Sequence, residues 1–340
     1  MIQSLYSPLV SILVPVYNVE PYIERCARSL FEQTYSNLEF VFCDDCSTDG
    51  SIQILDLVLK EYPQRATHVR IIHHEQNMGS ASARNTLIAA SKGTFLFWVD
   101  SDDWVETNAV ELLVAKQHEM DADIVTCRCY GHYDDTIKEY FDGGCNLDKD
   151  TLLEMILSGK RGSTVCRRLI RRQLHSDHDI RCLDGVDGRD DYQLIIPLVY
   201  YSKKVDTADT FLYHHNRTQH QSITYDYMNN LTYQVQSMLS RLYIRDFFLG
   251  KDNRCVRIVS EEMVSMAHKY MVYHYQHRNR KGYHIMVDYI EQTERKYWGK
   301  IGWDRWIKRV VEKNYYMMSM TYPIRRLLSK LRHKETCCPK

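Results

Sequence analysis

The stretch Thr94-Phe95-Leu96-Phe97-Trp98-Val99-Asp100-Ser101-Asp102-Asp103 passes from apolar residues straight onto three carboxylates. A run of this length, rich in aromatic and β-branched residues, reads as a buried strand. Strands apolar on both faces belong to parallel sheets. Acids at the carboxyl end of such a strand stand in the crevice where open α/β sheets bind ligands. Asp100 and Asp102 are two residues apart, so both side chains can point the same way. Two hard oxygen ligands with open positions suit Mg²⁺ or Mn²⁺ carrying a substrate diphosphate. The plainer alternative is a strand ending in a polar turn, with Asp103 capping the next helix.

The elements that must position these acids are punctuated clearly. Val10 to Asn18 is a first strand, in which Pro15 belongs at a strand end or edge. Pro21 opens a helix carrying Tyr22, Ile23, Cys26 and Leu30. Leu38 to Cys43 is a second strand and ends on Asp44-Asp45. Ser47 to Ser51 is a turn and cap cluster before a helix with Ile52, Leu55, Val58 and Leu59 on its apolar face. Val69 to His74 is a third strand. Asn77-Met78-Gly79-Ser80-Ala81 turns into a helix holding Arg84, Asn85 and Leu87. Strands alternating with helices predict a parallel, doubly wound sheet. Beyond Asp103 the pattern predicts a helix around Val110 to His118, a strand over Asp123 to Tyr130 and a polar loop or hairpin from Gly131 to Gly144. Val165 to Arg172, with four arginines, reads as a solvated basic helix face. A Gly- and Asp-rich loop, Gly185 to Asp191, opens onto Tyr192, and a late strand over Val205 to Tyr213 runs into His214-His215-Asn216-Arg217. After Tyr225 only helical spacing remains, with long helices expected over Leu231 to Phe248 and Cys255 to Tyr275. The domain expectation is a catalytic α/β domain over 1–225 and a helical region over 226–340.

The chain has 340 residues, 44% of them hydrophobic and 26% charged, enough to fill a sizeable core. Its formal net charge is zero, so no global field draws it to nucleic acid. No apolar stretch has the length to span a bilayer, and the first residues lack the basic start and apolar core of a signal peptide. The expected location is therefore cytoplasmic. Eleven cysteines without a regular framework fit reduced thiols.

Four motifs in order carry a family resemblance: Val14-Pro15-Val16-Tyr17-Asn18, Asp44-Asp45-Cys46-Ser47-Thr48-Asp49-Gly50-Ser51, Asn77 to Asn85, and Val99-Asp100-Ser101-Asp102-Asp103. The series resembles the family-two glycosyltransferases, closely over about the first 105 residues and more thinly to Ile223. The resemblance implies a GT-A fold that binds a nucleotide-diphosphate sugar, usually a UDP-sugar, and transfers the sugar with inversion. It implies that Pro15, Tyr17 and Asn18 line the nucleotide pocket and that Asp45, with Asp44 beside it, accepts a hydrogen bond from the base. Arg84 would lie near the nucleotide or diphosphate. Asp100-Ser101-Asp102 would be the D-x-D motif, with Asp102 on the metal and Asp100 reaching ribose or metal. The family's acidic pair maps to Asp190-Asp191, of which Asp191 would be the base. The family more often has Glu at the first position, so Asp190 stays open as the alternative. The segment with Arg217 and Ser222 matches a family motif in which a His, here His215, can complete the metal shell.

That chemistry has its own logic. Cleaving a sugar–diphosphate bond leaves negative charge on the leaving group, which a divalent metal and a cation such as Arg217 can stabilise. A carboxylate takes the proton of the acceptor hydroxyl, on a glycan or a lipid-linked carrier. Direct attack by that hydroxyl inverts the anomeric centre. Two other readings compete: a sugar nucleotidyltransferase and a non-catalytic sugar-nucleotide-binding protein. A nucleotidyltransferase would carry a Gly-rich basic loop after the first strand, where this chain has Pro15-Val16-Tyr17-Asn18-Val19-Glu20. Finally, Tyr322 to Lys334 sets Ile324, Leu327, Leu328 and Leu331 at helical spacing among five Arg and Lys residues. Such a helix suits the inner surface of an anionic membrane, as a peripheral contact.

Overall fold

A computed structural model of the protein describes residues 6–140, 147–218 and 227–291. The first strands follow from their apolar runs. β1 (Val10–Val16) and β2 (Leu38–Asp44) are buried along almost their whole length, as befits strands covered on both faces. They pair in parallel with β3 (Val69–His73) on one side and β4 (Phe95–Trp98) on the other. The connecting helices are α1 (Ile23–Phe31), α2 (Ser51–Glu61) and α3 (Ser80–Ala90). Pro15 sits beyond the β1–β4 register, which runs only from Val10 to Leu13, so its missing N–H costs that ladder nothing.

Beyond β4 the sheet is mixed rather than parallel throughout. The later elements are β5 (Trp104–Val105), α4 (Ala109–Met120), β6 (Ile124–His132), β7 (Ile137–Tyr140), α5 (Lys149–Leu157), β8 (Arg168–Arg171), α6 (Gln173–His178), α7 (Asp190–Tyr201) and β9 (Val205–Asn216). The strand order is β3-β2-β1-β4-β8-β6-β9-β5, with β7 paired to β6. β8 runs antiparallel to both β4 and β6, whereas β6 and β9 are parallel.

The arginine-rich segment Val165 to Arg172 is thus not a solvated helix face. Leu169 and Ile170 are fully buried in β8, and the arginines find partners within the fold. Arg168 donates to Thr164 O and Thr126 Oγ1, both at 2.8 Å. Arg167 donates to Cys127 O, Arg171 to Asp123 and Arg172 to Gly93 O. Carbonyls, the Thr126 hydroxyl and the carboxylates of Asp123 and Asp121 take the place of water around these guanidinium groups.

The chain divides into two compact units, Met1–Asp226 and Tyr227–Lys340. The described part of the second is helical: α8 (Leu231–Phe248), α9 (Asn253–Gln276) and α10 (Arg280–Glu291). Asn230 caps α8 through Tyr233 N, and Asp252 caps α9 through Arg254 N and Cys255 N. Inside this unit the buried Arg241 pairs with Glu262, and His274 Nε2 lies 2.6 Å from Gln234 Oε1. No helix among the described residues is long and apolar enough to cross a membrane. Tyr322 to Lys334, like Ser222, lies outside the described residues.

Candidate active site

β4 delivers its acids as expected, but they do three different things. Asp100 is held on both oxygens. Arg84 Nη2 donates to Oδ1 at 3.2 Å and the Cys166 thiol to Oδ2 at 2.8 Å. Ser101 is buried in the turn. Asp102 has no side-chain partner of this kind among the described residues. Burial, then Asp100, pushes its carboxyl up to about 7, while its own backbone amide, Arg217 and Arg25 pull the other way. Asp103 does not cap the next helix, whose N-cap is Asn108. Its Oδ2 accepts from Tyr213 Oη at 2.6 Å and its Oδ1 from Asn216 N at 2.7 Å. Tyr213 Oη in turn accepts from Asp100 N at 3.2 Å. Asp103 and Tyr213 therefore bind the end of β9, with His215 and Arg217, to the turn that carries Asp102.

The second acidic strand end lies across β1. Asp44 accepts from Ser47 N at 2.9 Å and lies 3.0 Å from His73 Nδ1. Burial would raise its carboxyl, but the Ser47 and His73 contacts outweigh it and hold it below the usual value. Asp45 accepts from Met78 N and Gly79 N, each at 2.8 Å, and lies 2.7 Å from His74 Nδ1. A carboxylate offers about four acceptor positions, so one remains for a further donor such as a nucleobase N–H. At the end of β1, Pro15 is half-buried, and Tyr17 and Asn18 are exposed. Asn18 takes a left-handed φ of 49°. That backbone lets its Oδ1 accept from Thr48 N at 2.8 Å and its own N donate to Ser47 Oγ at 3.2 Å. The β1 and β2 ends are thereby locked together, with the Tyr17 ring 47% exposed beside them.

Arg84 is the hub. It projects from α3, is 5% exposed and lies over the Trp98 ring at 5.2 Å. Its Nε donates to Asp190 Oδ2 at 2.8 Å, and its Nη2 lies 3.2 Å from both Asp100 Oδ1 and Asp191 Oδ1. Burial would lower a guanidinium's pKa, but Asp191, Asp190 and Asp100 together outweigh it, so the charge is secure. Asp190 and Asp191 form the first turn of α7, whose N-cap Arg189 takes a left-handed φ of 67°. Asp191 Oδ1 also accepts from Val165 N at 3.3 Å. Burial raises the Asp191 carboxyl; Arg84 opposes this, Asp190 and Asp100 add to it, and the balance brings it up to about 7. The two acid groups read separately in the sequence thus meet on one cation.

His215 lies on β9 opposite Gly131. Burial and then Arg217 lower its pKa to about 4, so the imidazole is neutral, the form that ligates metals. Arg217 is exposed, and its backbone N donates to His132 O at 2.8 Å. Among the described residues no three His, Cys, Asp or Glu side chains converge to form a protein-only cage for an ion. Mg²⁺ commonly takes one or two carboxylates and completes its shell with substrate phosphates and water. Asp102, desolvated and crowded by Asp100, has the chemistry of such a ligand; Asp100 already serves Arg84 and Cys166. Cys166 on Asp100 and Tyr213 on Asp103 also belong to the site. A lone Cys after a Val and a Tyr inside a strand carry no local signal.

Residues 11–178 match the family described as Glycosyl transferase family 2. The uncharacterized glycosyltransferase EpsJ of Bacillus subtilis (strain 168) is 41% identical over 186 residues, 51% of this chain and 53% of that protein. The match therefore spans about half the length of that curated relative. The structure of S. aureus TarS 1-349 in complex with UDP-GlcNAc superposes with a TM-score of 0.72 at 17% identity, over 93% of this chain and 91% of that one. The mannosyltransferase PcManGT from Pyrobaculum calidifontis, in complex with GDP-Man and Mn²⁺, gives 0.52 at 14% identity, over 92% and 88%. At these identities the likeness is one of fold, the GT-A fold with a helical region after it. With the acidic strand ends and Arg84 all inside the matched span, residues 11–178 form a glycosyl transferase family 2 segment.

Proposed function

We propose that this chain is an inverting, metal-dependent glycosyltransferase that moves a sugar from a nucleotide-diphosphate sugar, most readily a UDP-sugar, to a hydroxyl of a glycan or lipid-linked acceptor. The observation that carries this reading is the grip of Arg84 on Asp100, Asp190 and Asp191 together. It joins a diphosphate-type acidic turn to a carboxylate tuned for proton transfer. TarS with UDP-GlcNAc and PcManGT with GDP-Man and Mn²⁺ support a nucleotide-sugar donor for this fold.

In this reading the end of β1 and β2 receives the nucleoside, with Tyr17 and Asn18 at its rim and Asp45 accepting from the base. Asp102, aided by Asp100 and His215, would hold Mg²⁺ or Mn²⁺, which when bound neutralises charge developing on the diphosphate. Arg217 supplies a second positive charge toward that leaving group. Asp191 takes the proton of the acceptor hydroxyl; a base with a pKa near 7 is ionised often enough at neutral pH and still basic enough to accept. Asp190, on Arg84 Nε, fixes the guanidinium that in turn orients Asp191. The reaction class is one of cell-surface polysaccharide synthesis, with the basic, apolar segment Tyr322 to Lys334 as the contact with an anionic membrane surface.

Incubation with radiolabelled UDP-sugars and Mn²⁺ or Mg²⁺ tests this. The expected result is metal-dependent release of UDP, abolished by EDTA and restored by added metal. Pyrophosphate exchange would instead mark a nucleotidyltransferase, and saturable binding without turnover a non-catalytic binder. Full activity in chelator would rule out a role for the metal.

A further inference from the structure

The loop from Cys182 to Asp191 brings the acid pair into the crevice, and α3 fastens it at several points. Asn85 accepts from Cys182 N at 2.8 Å and donates to Cys182 O and Asp184 Oδ1, both at 3.0 Å. Arg84 holds Asp190 and Asp191. A further tie is Asp187, which has no part in the proposed transfer. Its Oδ1 accepts from Ala81 N at 3.0 Å, and the Ser80 side chain also hydrogen-bonds to it.

The same turn is gripped from the other side. Asp45 accepts from Met78 N and Gly79 N. Within four consecutive residues, three amides go to two carboxylates: one on the nucleotide side of the crevice, the other on the loop that carries the acid pair. Gly79, between them, has a φ of +88°, and a Cβ there would overlap the Asp187 carboxylate. Glycine is thus required both by the backbone and by the close approach of the acid. The first turn of α3 also favours negative charge through its unpaired amides. A solvated loop acid would need none of this.

We propose that Asp187 is a positioning residue that couples the nucleotide pocket to the base. Through Met78–Ala81 it ties the loop bearing Asp190 and Asp191 to the turn that Asp45 anchors. The proposal rests on reading Asp45 as the nucleotide side and Asp191 as the base. A nucleotide that engages Asp45 steadies this turn, and Asp187 passes the restraint on to the loop. Without Asp187 the loop keeps its Asn85 and Arg84 anchors, so the fold survives while Asp191 loses its exact register. A misplacement of about 1 Å can cost about 10²-fold in rate.

The test is hydrogen exchange of the full chain with and without UDP, combined with donor kinetics, for the wild type, Asp187→Ala and Asp187→Asn. In the wild type UDP should protect amides in both 78–83 and 183–192. In Asp187→Ala it should protect only 78–83, with kcat lowered about 10- to 100-fold and donor KM changed less than about 3-fold. Asp187→Asn keeps an oxygen that accepts from Ala81 N, so it should retain the protection and most of the turnover. Wild-type protection of 183–192 and wild-type kcat in Asp187→Ala would overturn the coupling while leaving the nucleotide site intact. If Asp187→Ala fails to fold, the Asn variant decides, because loss of protection there overturns the hydrogen-bond account. If UDP protects neither segment in the wild type, the nucleotide-pocket reading fails and takes this proposal with it.

Discussion

Among single side chains, the proposed mechanism depends most on the ionisation of Asp191, its proposed base. Burial and its acidic neighbours raise its carboxyl from the usual 3.8 to about 7 against the pull of Arg84. A base must be ionised to act, so kcat/KM should rise with pH up to about 7 and then level off. Asp191→Asn should lower kcat by about 10²–10⁴-fold with donor affinity little changed. Loss of donor binding in that variant, with Asp190→Asn abolishing turnover, would reverse the two roles. Stability should move the other way. The folded carboxyl keeps its proton where the unfolded chain would release it, so its contribution is complete below 3.8 and is lost as pH rises through about 7. Asp191→Asn should therefore melt higher than the wild type at pH 8 and equally at pH 3.5, a contrast that calorimetry can read. Arg84 has the opposite sensitivity. Arg84→Met would leave Asp100, Asp190 and Asp191 facing one another without their cation, and urea unfolding should show a loss of about 3–5 kcal/mol.

The elements show which parts of the site a sequence can reveal. β4 is legible because Thr94 to Val99 is a short apolar run stopped by carboxylates, and α8 because its spacing is helical over 18 residues. In the mixed half, β6 and β9 are legible as apolar runs, but β8 is not, because it hides under its arginines, whose partners Thr126, Cys127 and Asp123 are some 40 residues away. The same holds for Cys166 on Asp100 and Tyr213 on Asp103, contacts spanning 66 and 110 residues that no local pattern records. Asp103 is legible as an acid but not in its task, since a helix cap and a strand-end anchor look alike in one dimension. Its task can be checked through β9. Tyr213→Phe removes a hydrogen bond from a buried carboxylate and should cost about 1–3 kcal/mol in urea unfolding. It should also lower turnover, because it loosens the segment that carries His215 and Arg217.

On the scale of the whole molecule, the family match covers residues 11–178, while the acid pair, β9 and the helices from Leu231 onward lie beyond it. The proposed donor-binding residues up to Asp102 therefore lie within the family match, and the proposed base lies outside it. If Tyr322 to Lys334 meets a membrane, the full chain should sediment with anionic vesicles at low salt and be released at high salt, whereas a chain ending at Thr321 should not sediment.

In the proposed mechanism one crevice both holds the donor diphosphate and deprotonates the acceptor. It is tested most directly by following UDP release and glycosylated product together from a radiolabelled UDP-sugar and its acceptor, for wild type and Asp191→Asn, with Mn²⁺ and with EDTA. Matched UDP and product are expected in the wild type with Mn²⁺, none in EDTA, and a fall of about 10²–10⁴-fold in Asp191→Asn. Undiminished transfer by Asp191→Asn, or transfer that persists in EDTA, would contradict it.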